Sequence, residues 1–156
     1  MKSLMALEDR FTSIAENSNF PSVVLCDGGL MDTLGYTGPE VFDRILDKTG
    51  WTKIQLRDHR YEAIIHMVTA ADGAAEFYNN DNEARFEDAD LAVVRDRALR
   101  ECYIGHNKLY VIDNRDTFGQ KVKHTINTVL SVIGQPTSKV VFKKFLVDTR
   151  YVSDLT

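Results

Sequence analysis

An apolar run that ends in an aspartate and two glycines lies near the start of the sequence. Residues 23–32 read Val-Val-Leu-Cys-Asp-Gly-Gly-Leu-Met-Asp. This pattern is typical of a buried parallel strand that delivers a carboxylate, here Asp27, to the carboxyl edge of an α/β sheet. Two glycines after it allow close approach of a ligand to the backbone. We therefore expect a ligand crevice at Asp27, with Asp32 as a second carboxylate or as the cap of the following turn.

The composition is that of an ordinary globular domain. The 156 residues are 44% hydrophobic and 27% charged, which is enough for one domain with its own core. The net charge of −4 argues against a general nucleic-acid binder, which usually carries a basic face. No apolar run approaches membrane-spanning length and the N-terminus has no secretory pattern, so we expect a cytoplasmic protein without a transmembrane segment.

Neither the cysteines nor the histidines are spaced as metal ligands. Cys26 and Cys102 form no Cys-x-x-Cys pair, and Cys26 is predicted to be a buried thiol of the apolar run. His66 follows apolar residues, which favours a core histidine over a catalytic one. The other histidines are interpreted as surface or structural residues: His59, His106 and His124.

Apolar periodicity predicts helices that alternate with strands. The helices are expected over residues 3–17, 39–50, 51–60, 86–104 and 118–133, and the strands over 23–27, 63–68, 109–112 and 140–147. Residues 35–39 are expected to form a loop and residues 70–83 a polar connection. This order predicts an α/β fold with a parallel sheet flanked by helices. The buried faces are predicted to be Leu4, Leu7, Phe11 and Ile14 in the first helix and Leu91, Val94, Ala98 and Cys102 in the fourth.

Polar side chains stand where each of three predicted strands ends. They are Asp27 in the first strand, His66 with Thr69 in the second, and Asp113 with Asn114 in the third. Ligands in such folds bind outside the carboxyl ends of the strands, so these residues are candidates for one site. The alternative is that they only cap strands and form turns.

Arginines supply the candidate phosphate contacts, because a guanidinium binds phosphate in a bidentate manner. Arg57 and Arg60 precede the second strand, and Arg85 follows the polar connection, where a closing lid would bring it onto a transferring phosphoryl group. The alternative for Arg85 is a solvated side chain paired with Glu83 or Glu87.

Several motifs together resemble the P-loop nucleoside-kinase-like, AAA-type ATPase domain of the NadR and TRPL-translocation-defect protein family. The resemblance covers about residues 8–136. The matching segments are Asp27-Gly28-Gly29 with Asp32, Arg60-Tyr61-Glu62, Thr69 to Ala74, Phe77-Tyr78, Asn79-Asn80, Ala84-Arg85-Phe86-Glu87, Gly105-His106, Asp113-Asn114 and Phe118 to Lys121.

The resemblance implies a P-loop NTPase-like domain over residues 1–136 that binds ATP or GTP with Mg²⁺ and acts as a kinase or NTPase. It implies that Asp27 serves Mg²⁺ or the acceptor with Asp32 beside it, and that Arg85 contacts the phosphates. It further implies that Arg60, Asp113 and Asn114 contact the nucleotide. Residues 137–156 resemble the first strand of a CYTH domain, without its metal-binding acidic residues.

Two departures from the family pattern bear on activity. Gly28 replaces the arginine of an Asp-Arg-Gly motif, and no segment reads Gly-x-x-x-x-Gly-Lys-Ser/Thr, so the family's phosphate loop and first strand are missing. We therefore expect impaired or no catalysis. The alternative hypothesis is a non-catalytic interaction module that offers its open sheet edge to a partner chain or to a second copy.

Overall fold

The computed structural model describes residues 1–78 and 88–135. It contains six α-helices, two strands and one 3₁₀ turn within those ranges. In chain order they are α1 (Lys2–Glu16), α2 (Asp32–Thr37), α3 (Pro39–Thr49), α4 (Lys53–Arg57), β1 (Ile64–Met67), the 3₁₀ turn (Ala75–Phe77), α5 (Ala89–Cys102), β2 (Leu109–Ile112) and α6 (Phe118–Val132).

Local sequence signals account for several helix ends. Pro39 begins α3 directly after Gly38, and Gly50 ends it in the left-handed conformation with φ of 72°. Thr52 and Thr117 cap α4 and α6, each in a capping box with the glutamine three residues on. These helices lie where the sequence predicted them, whereas α2 occupies part of the predicted loop 35–39.

The two strands form a parallel pair. Ile64 pairs with Leu109 and Met67 with Ile112, and the Val68 N–H donates to the Ile112 carbonyl at 3.0 Å. The connection between them contains α5, as a parallel crossover requires. The predicted α/β fold with a parallel sheet flanked by helices is confirmed.

The predicted strand over residues 23–27 is wrong. Residues 21–26 have no regular structure, and among the described residues only β1 and β2 pair with each other. Val23 and Leu25 are 47% and 75% exposed, and Cys26 is exposed where a buried thiol was predicted. Strand composition is insufficient here, because a strand also needs a neighbour to take its backbone hydrogen bonds.

The core lies among the helices. Its buried members are Leu30, Met31, Phe42, Leu56, Cys102 and Tyr103, and Ile64 and Leu109 reach it from the sheet. None of the described helices is both long and apolar enough to cross a membrane. The predicted strand 140–147 and the proposed domain boundary near residue 136 lie outside the described residues.

In two helices the predicted buried face is confirmed only in part, by Leu4, which packs against the core, and by Cys102, which is buried. In α1, Leu7, Phe11 and Ile14 are at least half exposed, whereas Glu8 is buried. In α5, Leu91 and Val94 are exposed, and the buried face holds Ala92, Asp96 and Cys102. Both faces turned inward carry an acidic residue, and each acid meets polar partners that lie far away in the sequence.

Candidate nucleotide site

The turn that follows Asp27 is closed by hydrogen bonds from within the protein. Asp32 accepts from the Gly29 N–H at 3.0 Å and from the Tyr103 hydroxyl at 2.7 Å. The Leu30 N–H donates to the Tyr61 hydroxyl at 2.8 Å. Asp32 therefore acts as a turn and helix-start residue with both oxygens in use, while the side chain of Asp27 is exposed.

The second glycine of the turn is required by packing. A Cβ at Gly29 would collide with the Tyr103 hydroxyl and would lie 3.0 Å from the Tyr61 hydroxyl. Gly28 has φ of 79°, a conformation that favours glycine. Gly29 thus lets two tyrosines approach the backbone and Gly28 lets Asp32 approach it, whereas the sequence had suggested this role for a ligand.

Arg60 is bound by the first helix. Its Nε lies 2.7 Å from Glu8 Oε2, its Nη1 lies 2.7 Å from Asp9 Oδ1, and its Nη2 donates to the Met5 carbonyl at 2.9 Å. Burial lowers the pKa of Arg60, but the hydrogen bonds with Glu8 and Asp9 outweigh it, so the pKa is raised. A phosphate at this guanidinium would therefore compete with two carboxylates that are already bound to it.

Two tyrosines, partly buried Tyr61 and buried Tyr103, connect this network. Tyr61 donates to Glu8 Oε1 at 3.0 Å while it accepts from Leu30, and Tyr103 donates to Asp32. Burial raises the pKa of both phenols, and the neighbouring carboxylates, Glu8 for Tyr61 and Asp32 for Tyr103, raise it further. Both tyrosines are therefore held neutral. Tyr61 links α1 to the turn by hydrogen bonds, and Tyr103 links the end of α5 to Asp32.

A second polar cluster lies at the carboxyl ends of β1 and β2. Asn114 donates to the Thr69 and Asp72 carbonyls, each at 2.7 Å, and accepts from Lys121 Nζ at 2.6 Å. Lys121 is buried and also donates to the Val68 carbonyl at 2.5 Å. Burial lowers the pKa of Lys121. Asn114 thus fastens the start of the 70–78 connection to the end of β1.

The same strand end carries a buried acid that the sequence reasoning missed. Asp96 lies 3.1 Å from His66 Nε2 and accepts from the Thr69 N–H at 2.8 Å. His66 is therefore a satisfied core histidine, as expected. The sequence did contain a signal for Asp96. It lies four positions after Ala92, so both residues are on the same face of α5, and Ala92 is buried.

A family model for the AAA domain matches residues 3–121. The chain belongs to this AAA domain family. The matched range runs from α1 to the first turn of α6, so it contains both the Asp27 turn and the β1–β2 strand ends. No curated protein and no solved structure matches the chain. The predicted AAA-type, P-loop NTPase-like domain is confirmed at this level.

An AAA domain of this kind uses a nucleotide with Mg²⁺, and the described residues fit such a group in part. Asp27 offers one exposed carboxylate, and Mg²⁺ commonly takes only one or two from the protein. In residues 1–78 and 88–135, however, no three His, Cys, Asp or Glu side chains lie close enough to hold a metal ion. Among the predicted site residues that the structure describes, Asp27 therefore remains an exposed carboxylate without a cluster of further metal ligands around it.

The other residues predicted to contact the nucleotide or its phosphates do not all lie at the strand ends. Asp113 lies at the end of β2 and pairs on the surface with Arg115 Nε at 2.7 Å. Arg57 donates to the Ile104 carbonyl at 2.5 Å and lies 2.9 Å from Asp58, whose pKa it lowers by hydrogen bonding. Arg85 and the asparagine pair at 79–80 lie outside the described residues.

Proposed function

We propose that this AAA domain is a kinase-like nucleotide-binding module in which nucleotide binding is weak and phosphoryl transfer is lost. The proposal places it with the NadR and TRPL-translocation-defect proteins. It rests on the family match over residues 3–121 and on the motifs around Asp27, Arg60 and Asp113. Residues 1–136 would be this module and residues 137–156 the start of a CYTH-like segment.

In this proposal Asp27 contacts Mg²⁺ or the acceptor, Arg85 contacts the phosphates, and Asp113 lies beside the base or ribose. Asn114 would act through its contacts with Thr69 and Asp72, because both N–H groups of its amide are already hydrogen-bonded. Arg60 would contact a phosphate only after leaving Glu8 and Asp9. When bound, the Mg²⁺–nucleotide would supply the phosphoryl group and neutralise its charge.

One observation supports weak binding above all others. The 156 residues contain no Gly-x-x-x-x-Gly-Lys-Ser/Thr segment, and the one double-glycine turn is filled by Tyr61 and Tyr103. Phosphoryl transfer depends on a cradle of backbone N–H groups and a lysine that hold the β- and γ-phosphates. Without these groups, we expect both the affinity for the nucleotide and the stabilisation of the transition state to be lower.

Isothermal titration calorimetry with Mg-GTP and Mg-ATP, together with phosphate-release kinetics, tests the proposal on the 156-residue chain. We expect dissociation constants near or above about 1 mM and no turnover above the uncatalysed rate. The residual heat should fall further in Asp27→Asn but not in Asp47→Asn, an exposed control on α3. Micromolar affinity with measurable turnover would refute weak binding, and equal behaviour of the two variants would refute the role of Asp27.

Exposed apolar side chains favour a second candidate function, a non-catalytic interaction module. Leu7, Phe11 and Ile14 form an exposed stripe on α1, and Val23 to Leu25 follow as an exposed segment with strand composition. Such surface on one part of a chain is typical of a protein–protein contact. The partner would be a second copy or another chain that covers the open edge of the sheet.

Light scattering coupled to size-exclusion chromatography distinguishes the two functions. The interaction module predicts a dimer that Phe11→Ser converts to a monomer, whereas Phe118→Ser, at a more exposed phenylalanine of α6, leaves the dimer intact. A monomer at all concentrations that nevertheless binds nucleotide tightly would count against the module.

A further inference from the structure

A cavity of about 340 Å³ lies among the first three helices. Its walls come from the start of α1, from Thr33 of α2 and from the end of α3 with Trp51. The lining residues are Met1, Lys2, Thr33, Ile45, Lys48, Thr49 and Trp51. None of them belongs to the Asp27 turn or to the strand ends of β1 and β2, so the cavity is separate from the candidate nucleotide site.

The cavity combines an apolar wall with two cations. Met1, Ile45 and Trp51 form the apolar part, and Met1 and Trp51 also pack against the core. In the part of the chain that the structure describes, the side chains of Lys2 and Lys48 form no ion pair or hydrogen bond. By contrast, Lys53 pairs with Asp43 at 3.3 Å.

We propose that the cavity binds a small aliphatic carboxylate, with its chain against Trp51 and Ile45 and its carboxylate between Lys2 and Lys48. The volume lies at the lower end of the range for small-molecule sites, which fits a single medium-length chain. Burial of the chain supplies the affinity, and the two ammonium groups select an anionic head over a neutral or cationic one.

The chain provides its own reporter, because Trp51 is its single tryptophan. Decanoate is titrated into the protein below its micelle-forming concentration while Trp51 emission is followed. Decanol and decyltrimethylammonium carry the same chain without the negative charge and serve as ligand controls. We expect a saturable change with decanoate, weaker binding of decanol, and the weakest binding of the cation.

Variants test the cation pair directly. Lys2→Gln and Lys48→Gln should each weaken decanoate binding about two- to fivefold, as expected for partly solvated charges. Lys123→Gln, at an exposed position on α6, should leave it unchanged. Far-ultraviolet circular dichroism and the thermal midpoint establish that each variant is folded.

Three results would overturn the proposal. The first is a Trp51 signal that does not saturate. The second is equal affinity for decanoate and decyltrimethylammonium, which would indicate apolar adsorption only. The third is a double variant, Lys2→Gln with Lys48→Gln, that binds decanoate as the unmodified chain does. None of these outcomes depends on nucleotide binding, so the proposal stands or fails independently of the proposed function.

Discussion

Two apolar segments of similar composition adopt different structures in this molecule. Val23 to Cys26 and Ile64 to Met67 are each four residues long and rich in β-branched or aliphatic side chains. The second segment is β1 and pairs with β2 through its whole length. The first has no regular structure and exposes its side chains to solvent.

The difference teaches that composition specifies a strand only where a partner satisfies its backbone. The Ile64 N–H donates to Lys108 at 2.9 Å and the Val68 N–H to Ile112 at 3.0 Å. For Val23 to Cys26, the described residues provide no such acceptors. The turn that follows this segment is instead fixed by side-chain hydrogen bonds from Asp32, Tyr61 and Tyr103.

Proline substitutions should separate the two segments most strongly. Val68→Pro removes the hydrogen bond to Ile112 and disturbs a buried position, so we expect a loss of about 3 kcal/mol or more in unfolding free energy. Val24→Pro at the exposed, unpaired segment should change it by less than about 0.5 kcal/mol. Urea denaturation measures both, and similar losses would mean that the first segment is paired in solution.

Removal of the buried acid of α1 should have the next largest effect. Glu8→Ala leaves Arg60 and Tyr61 without their shared partner, although Asp9 remains bound to Arg60. We expect a loss of about 3 kcal/mol in urea denaturation, at the lower end of the range for breaking a buried ion pair because Asp9 still binds Arg60. Glu16→Ala, at the exposed end of the same helix, is the matched control and should be nearly neutral.

A glycine pair tests whether the turn after Asp27 is a packed structure. Gly29→Ala would force its new methyl group into the Tyr103 hydroxyl and should cost about 1–3 kcal/mol. Gly119→Ala meets open space within α6 and should stabilise the protein by up to about 1 kcal/mol. If Gly29→Ala were neutral in thermal denaturation, the turn would be looser than described.

Alkaline pH should weaken the tyrosine network gradually. Because the folded-state pKa values of Tyr61 and Tyr103 are raised, their contribution is complete below about pH 10, the pKa of free tyrosine, and is lost as pH rises above it. Each phenol contributes at most about 1.4 kcal/mol per pH unit. Lys121, whose pKa is lowered by burial, acts in the opposite direction as pH approaches 10.5, so the slope is measured against Lys121→Met.

Comparison of Tyr103→Phe with Tyr110→Phe isolates the tyrosine contribution. Tyr110 is exposed on β2, and the described residues give its hydroxyl no hydrogen-bond partner. Thermal midpoints between pH 8 and 11 should decline less steeply in Tyr103→Phe than in the unmodified chain. If the thermal midpoint of Tyr103→Phe declined as steeply as those of Tyr110→Phe and the unmodified chain, the Tyr103 phenol would not be responsible.

The sequence predicted the elements well where the signal is local. The capping boxes at Thr52 and Thr117, the proline that begins α3 and the glycine that ends it all lie within a few residues of the helix end they determine. The strand at residues 109–112 was predicted with its observed bounds. The AAA-type domain followed from motifs that span most of the chain, and the family match confirms that level of the prediction.

The candidate site was harder to predict because its chemistry depends on distant partners. Arg60 looks like a phosphate ligand in the sequence, yet Glu8 binds it from 52 positions away. Asn114 looks like a base contact, yet its amide is used by Thr69 and Asp72, more than 40 positions away. Periodicity alone also predicted the buried faces of α1 and α5 only in part, because it cannot anticipate that an acid will be buried with a partner.

By itself, the sequence determined the boundaries of most helices other than α2, the two paired strands, the parallel α/β class and the family motifs, because each depends on residues close together or on a linear pattern. Only the tertiary structure decided which apolar segment pairs with a neighbouring strand, which helix faces are buried and which polar groups remain available to a ligand. The contact from Tyr103 to Asp32 spans 71 positions. Such contacts depend on chain folding as a whole, since hydrogen bonds and burial are satisfied by proximity in space.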